Sequence, residues 1–128
     1  MSDRLVLVVE DNEKNLKLVR DILRYEGFDV MEARTAEDGV ALATERLPDL
    51  VLMDVQLPGM DGVEALRRLR RRSATASMPV VAVTALAMKD DRVRLLEAGF
   101  DGYLEKPISA RDLGDQVREF LDGREAVT

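Results

Sequence analysis

"LVLMDVQLPGMDG", residues 50–62, sets an apolar, β-rich run against a carboxylate, Asp54, and follows it at once with a Pro-Gly turn. Leu50, Val51, Leu52 and Met53 read as a strand buried on both faces, the pattern of a parallel sheet. An aspartate closing such a strand costs stability if it lies buried and unpaired. A capping role or a chemical role must offset that cost.

Working outward, four more runs of the same kind appear: 5–9 (LVLVV), 28–32 (FDVME), 79–83 (PVVAV) and 102–104 (GYL). Helical patterns fill the intervals. The first, about 13–26, carries Leu16, Val19, Ile22 and Leu23 on one face and stops at Gly27 as its C′ residue. The second follows Thr35, with Asp38 three residues on, much like a capping box. The third spans about 62–72, and the fourth, about 88–98, ends at Gly99. The fifth starts at Ser109-x-x-Asp112 and turns Leu113, Val117, Phe120 and Leu121 inward. Strand and helix alternating five times with short connections predict a parallel sheet covered by helices on both faces. Right-handed crossovers leave a doubly wound α/β fold, flavodoxin-like or Rossmann-like.

No Pro- or Ser-rich linker and no internal repeat interrupts the 128 residues, so one domain over 1–128 is expected, with a core of about 4–122 and a short tail. Apolar residues at 46% and charged residues at 34% describe a globular chain. There are no cysteines and no histidines, which excludes disulfides, thiolate sites, histidine acid–base chemistry and histidine-ligated metals. Any metal must be held by oxygen, as Mg2+ or Ca2+ is. A net charge of −6 argues against nucleic acid and anionic membranes as partners. The opening MSDRLVLVVED lacks the apolar stretch of a signal peptide, so a cytoplasmic location is expected.

In a sheet of this kind, ligands bind at the carboxyl ends of the strands. Those positions hold Glu10, Asp11 and Asn12 after the first strand, Asp54 after the third, Thr84 after the fourth, and Glu105-Lys106-Pro107 after the fifth. Asn12 reads as a helix cap. Glu10, Asp11, Asp54, Thr84 and Lys106 would then converge on one crevice. Three carboxylates crowd there and Lys106 offsets one of them. A divalent cation would remove the remaining negative charge, and Mg2+ binds through one or two carboxylates with phosphate and water. Asp54 is then placed to act as a nucleophile toward phosphorus, with Lys106 and the Thr84 hydroxyl stabilising the phosphoryl oxygens. The basic stretch "RRLRRRS", 67–73, reads as a solvated helix end favoured by the helix dipole, and "ALAMK", 85–89, as core and helix start.

"VVEDN", "LMDVQLPGMDG", "VTALAM" and "YLEKPIS" resemble the receiver domain of two-component response regulators over essentially the whole chain. Within that family they look closest to single-domain regulators of the DivK type and to receivers of hybrid sensor kinases. The resemblance implies a flavodoxin-like (β/α)5 fold with strand order 2-1-3-4-5. It implies that Asp54 accepts a phosphoryl group from a histidine kinase or histidine phosphotransfer protein. Asp11, Asp54 and the Gln56 backbone carbonyl would bind Mg2+, with Glu10 reaching the metal through water. Thr84 and Tyr103 match the switch pair, Lys106 the phosphate-contacting lysine, and Lys106-Pro107 a cis peptide bond. Gln56 and Leu86 match positions flanking the hydrolytic water and so set the phosphoryl lifetime. Glu10 departs from the more frequent aspartate of the acidic pair.

On this reading the protein catalyses only its own phosphorylation and dephosphorylation. Its output is binding of a partner protein through the face of the fourth helix, fifth strand and fifth helix, as a monomer or weak dimer. The alternatives are a receiver fragment of a larger hybrid sensor kinase and an Asp-nucleophile phosphatase of the haloacid dehalogenase type. The phosphatase needs a second Asp two residues past the nucleophile, where this chain has Gln56. A flavodoxin-like electron carrier would need a Ser/Thr/Gly-rich phosphate loop after the first strand, and a P-loop nucleotidase GxxxxGK[ST]; neither is present.

Overall fold

The computed structural model describes residues 4–57, 59–85 and 89–122. Leu86 and most of the 85–89 stretch lie outside the described residues, as does the 123–128 tail. The elements run β1 (Leu5–Val9), α1 (Glu13–Tyr25), β2 (Asp29–Ala33), α2 (Ala36–Arg46), β3 (Leu50–Asp54), α3 (Gly62–Arg71), β4 (Val80–Thr84), α4 (Lys89–Ala98), β5 (Gly102–Glu105) and α5 (Leu113–Leu121). All strand pairs are parallel, in the order β2-β1-β3-β4-β5. This is the flavodoxin-like fold.

Alternation along the strands builds two cores. Leu7, Val9, Val51, Met53, Val80 and Ala82 face α2, α3 and α4, where Val40, Leu66 and Leu95 meet them. Val6, Val8, Leu50, Leu52, Val81 and Val83 face α1 and α5, against Leu16, Leu23, Leu113 and Phe120. Because side chains point alternately to opposite faces, one continuous apolar run feeds both layers.

The strand bounds differ from those expected by about one residue, for local reasons. Pro79 has no N–H, so the β4 ladder starts at Val80, although the Pro79 carbonyl accepts from the Val51 N–H at 3.0 Å. The Phe28 N–H is taken by the Leu23 carbonyl and the Gly27 N–H by that of Arg24, the Schellman closure of α1, with Gly27 at φ +96°. β2 therefore begins at Asp29. Asp54 and Thr84 belong to their strands: Asp54 pairs with Val83 and Thr84 with Glu105. Ser109 and Asp112 form a hydrogen-bonded turn ahead of α5, which starts at Leu113.

The amino edge of the sheet is pinned by two aspartates used alike. Asp49 Oδ2 accepts from the Leu5 N–H at 2.7 Å, and Asp101 Oδ2 accepts from the Val80 N–H at 2.8 Å. Each satisfies an orphan donor at a strand start and sets the register of a neighbour.

The expectation of a solvated basic helix end requires a correction at Arg70. Its guanidinium donates to the carbonyls of Ala76, Met78 and Gly99 and to Asp101 Oδ2, at 2.6–3.2 Å. Arg67 and Arg68 stay largely exposed and pair with Glu64. Arg70 reaches inward because the planar fork can serve several carbonyls at once where α3, the β4 entry and the end of α4 meet. Arg70→Ala is expected to lower stability by about 1–3 kcal/mol, since it leaves several carbonyls without a donor. Arg70→Lys should restore only part of that, both read from urea denaturation midpoints at unchanged slope.

Candidate functional site

The site lies at the carboxyl edge of β1, β3, β4 and β5, where the chain leaves each strand. Asp54 is 3% and Glu10 4% exposed, so both carboxylates are withdrawn from water and require partners. Lys106 supplies one to each: its ammonium lies 2.9 Å from Asp54 Oδ2 and 3.1 Å from Glu10 Oε1. The remaining oxygens take backbone donors. The Gln56 N–H donates to Asp54 Oδ1 at 2.9 Å and the Asn12 N–H to Glu10 Oε2 at 3.1 Å.

Local sequence explains how these groups arrive. Asn12 caps α1, its side chain accepting from the N–H groups of Lys14 and Asn15, so the chain turns off β1 directly beneath Glu10. At β3 the strand must reverse into α3 within a few residues. Gly62, the first residue of α3, lies against the strand end: a Cβ there would come within 2.7 Å of the Asp54 carbonyl oxygen and 2.9 Å of Val55 Cα. Only glycine permits that approach, which answers why the segment reads PGMDG. At β5, the Lys106 N–H donates to the Thr84 carbonyl at 2.8 Å, one step beyond the ladder, fixing where the lysine side chain departs. The Lys106–Pro107 peptide bond is cis.

Charge shapes the protonation of the pocket. Burial pushes the Glu10 carboxyl above its ordinary value; the Asn12 N–H opposes this and the neighbouring Asp54 adds to it. Burial would lower the Lys106 ammonium, but hydrogen bonds to Asp54 and Glu10 outweigh it and the net direction is upward.

Carboxylate oxygens of Glu10, Asp11 and Asp54 lie within 4.8 Å of one another, with Asp11 exposed and the other two buried. The donors are all hard oxygens carrying more negative charge than Lys106 balances. That set fits a small hard cation entering from the Asp11 side with part of its water shell. Thr84, at the end of β4, is 1% exposed. Tyr103 is half-buried on β5, packed against the core beneath α4. Glu10, Asp11, Asp54 and Lys106 are thus brought to one place. The residue-by-residue reading brought Glu10 and Lys106 to one crevice, and they pair there, but it missed Arg92, which lies over the Tyr103 ring. Arg92 and Tyr103 lie on different elements, so spacing gave no sign of that contact.

The response regulator receiver domain model matches residues 6–118. The polar-differentiation response regulator DivK of Brucella ovis is 40% identical over 116 residues, which cover 91% of this chain and 94% of that protein. The CheY-like response regulator receiver domain protein of Methanospirillum hungatei superposes with a TM-score of 0.86 at 34% identity, over 95% of this chain and 96% of that one. The receiver domain of sensor histidine kinase PA1611 from Pseudomonas aeruginosa, solved with a magnesium ion coordinated in its active site cleft, superposes with a TM-score of 0.86 at 31% identity, over 94% of this chain and 99% of that one.

Replacing Lys106 by Met removes the charge that two buried carboxylates share. Lys106→Met is expected to cost about 1–3 kcal/mol at pH 7, the partial exposure of the lysine keeping the loss below that of a fully buried pair. The sign with pH follows from the raised Glu10 carboxyl: a folded-state value above the unfolded one favours folding when protonated and loses that contribution as pH rises. Lys106 holds that carboxyl down, so its loss raises Glu10 further in Lys106→Met, and the variant's deficit relative to wild type should shrink as pH falls from 7 toward 5, measured by urea denaturation at each pH.

Proposed function

Because the chain belongs to the response regulator receiver domain family, we propose that it is a phospho-accepting regulator in which Asp54 takes the phosphoryl group of a histidine kinase or histidine phosphotransfer protein. The observation that carries this reading is the Asp54 carboxylate itself: buried at a strand end, held by Lys106, with oxygens of Glu10 and Asp11 within 4.8 Å of its own.

An Asp54 oxygen attacks phosphorus, the donor's N–P bond breaks with its electron pair returning to the imidazole, and an aspartyl phosphate forms. Lys106 stands 2.9 Å from Asp54 Oδ2 and so needs only a small shift to bind a phosphoryl oxygen. Thr84, ending the adjacent strand, offers its hydroxyl to another. Glu10, Asp11, Asp54 and the Gln56 carbonyl are the residues to hold Mg2+, which when bound neutralises charge on the transferring group. The donor protein approaches beside Lys106. A cavity of about 350 Å³ there, lined by Asn15, Leu18, Val19, Pro107 and Ile108 among others, has half-exposed Leu18 in its wall.

Phosphorylation adds charge and acceptor oxygens at Asp54. Thr84 moves to bond them, and Tyr103 turns into the vacated space. The α4-β5-α5 face then changes shape and alters its affinity for a partner protein. That face exposes Val93 and Leu96, apolar groups suited to a protein contact. Chemistry ends with this self-modification and its hydrolysis. Leu86 offers no polar group to orient the attacking water, so the phosphoryl state is long-lived. The chain acts as a single receiver domain over 1–128, a cytoplasmic monomer or weak dimer. Among the described residues no helix is long and apolar enough to cross a membrane.

Intact-mass spectrometry after incubation with Mg2+ and acetyl phosphate tests the acceptor. One labile phosphoryl adduct on wild type and none on Asp54→Asn is expected, and chelation with EDTA should abolish the adduct. An adduct persisting in Asp54→Asn would overturn the assignment. Thr84→Ala should still be phosphorylated while losing phosphorylation-dependent partner binding.

A further inference from the structure

We infer that Arg92 is a positioning residue that clasps the Tyr103 ring and sets how readily the switch turns; the inference rests on the receiver reading above. Arg92 stands in the first turn of α4, and its guanidinium lies 5.3 Å from the centroid of the Tyr103 ring. The same guanidinium donates through Nη2 to Glu105 in an ion pair. Tyr103 and Glu105 are two apart on β5, so they point to one face of the strand, the face toward α4. Leu104 between them points to the opposite core. One cation therefore sits over the ring and pairs with the carboxylate, and fastens α4 to β5 across Tyr103.

Two further facts make this more than a surface pair. The Arg92 Nε is buried and has no hydrogen-bond partner among the described residues, so ring and carboxylate are what hold the group in place. Glu105 also precedes Lys106, whose N–H is bonded to the Thr84 carbonyl. The clasp is therefore continuous along the backbone with the lysine that pairs with Asp54. If the ring turns away, the cation loses its aromatic partner, and α4 loses one of its ties to β5. Arg92 thus stabilises the ring position that accompanies the Lys106–Asp54 pair, and Glu105 holds Arg92 over the ring. A two-state switch whose resting side is favoured in this way starts with less of the turned state.

The chain has two tyrosines and no tryptophan. A Tyr25→Phe background carrying 3-fluorotyrosine therefore reports Tyr103 alone as one 19F resonance. In that full-length protein, Arg92→Ala is expected to move the unphosphorylated resonance toward the position wild type takes after treatment with acetyl phosphate and Mg2+. It should also raise the initial rate of Asp54 phosphorylation about three- to tenfold. Glu105→Gln should act in the same direction by less, and the double variant should match Arg92→Ala alone, because Glu105 acts through Arg92. Arg92→Gln serves as a second variant if Arg92→Ala does not fold. An unmoved resonance and an unchanged rate, in variants that fold and are phosphorylated, would overturn the clasp. Absence of phosphorylation on Asp54 in wild type would instead overturn the receiver reading, and this inference with it.

Discussion

A single ammonium shared by two buried carboxylates is the contact on which the rest of this structure depends. Asp54 and Glu10 leave water almost entirely, and among the described residues Lys106 is the one cation that reaches both. A buried charge without a partner is strongly destabilising, so the geometry that delivers Lys106 is constrained from several sides. β5 must pair with β4 in a register that carries the chain past Thr84, and the Lys106 N–H bond to the Thr84 carbonyl sets that register's last step. β1 and β3 must end level with one another, which their pairing of Val9 with Met53 ensures. The balance is incomplete, because Asp11 adds a third carboxylate beside the pair. That surplus of hard oxygen donors fits a divalent cation.

The two edges of the sheet are built for different tasks. At the amino edge, Asp49, Asp101 and Arg70 satisfy strand-start donors and loop carbonyls, so the strands are anchored where no chemistry occurs. At the carboxyl edge, Lys106, Glu10 and Asp54 meet one another and the N–H groups of Asn12 and Gln56. The Arg92–Tyr103–Glu105 cluster joins α4 to β5, on the helix that also exposes Val93 and Leu96.

Several features were legible in advance because they depend on near neighbours. The Asn12 cap, the Gly27 helix stop and the Thr35 cap on the Asp38 N–H each involve residues within a few positions of one another. β1, β3 and β4 were visible because residues buried on both faces leave unbroken apolar runs, while β2 and β5 are shorter on buried residues and carry Asp29, Glu32 and Glu105. The role of Arg70 was not legible. Its stretch reads as solvated charge, and its acceptors lie up to 31 positions away, on loops whose meeting depends on the sheet order.

By itself, the sequence determined the alternation of elements, the carboxyl-edge positions of Asp54, Thr84 and Lys106, and the restriction of any metal ligands to oxygen. These follow from apolar periodicity, from turn residues and from the absence of cysteine and histidine. Tertiary structure decided how the charges pair. Glu10 and Asp54 share Lys106 across 96 and 52 positions, and Arg92 settles on a tyrosine and a glutamate of another element. Charge and aromatic contacts depend on separation in space, and no periodicity along the chain encodes distances set by the packing of a helix on a sheet.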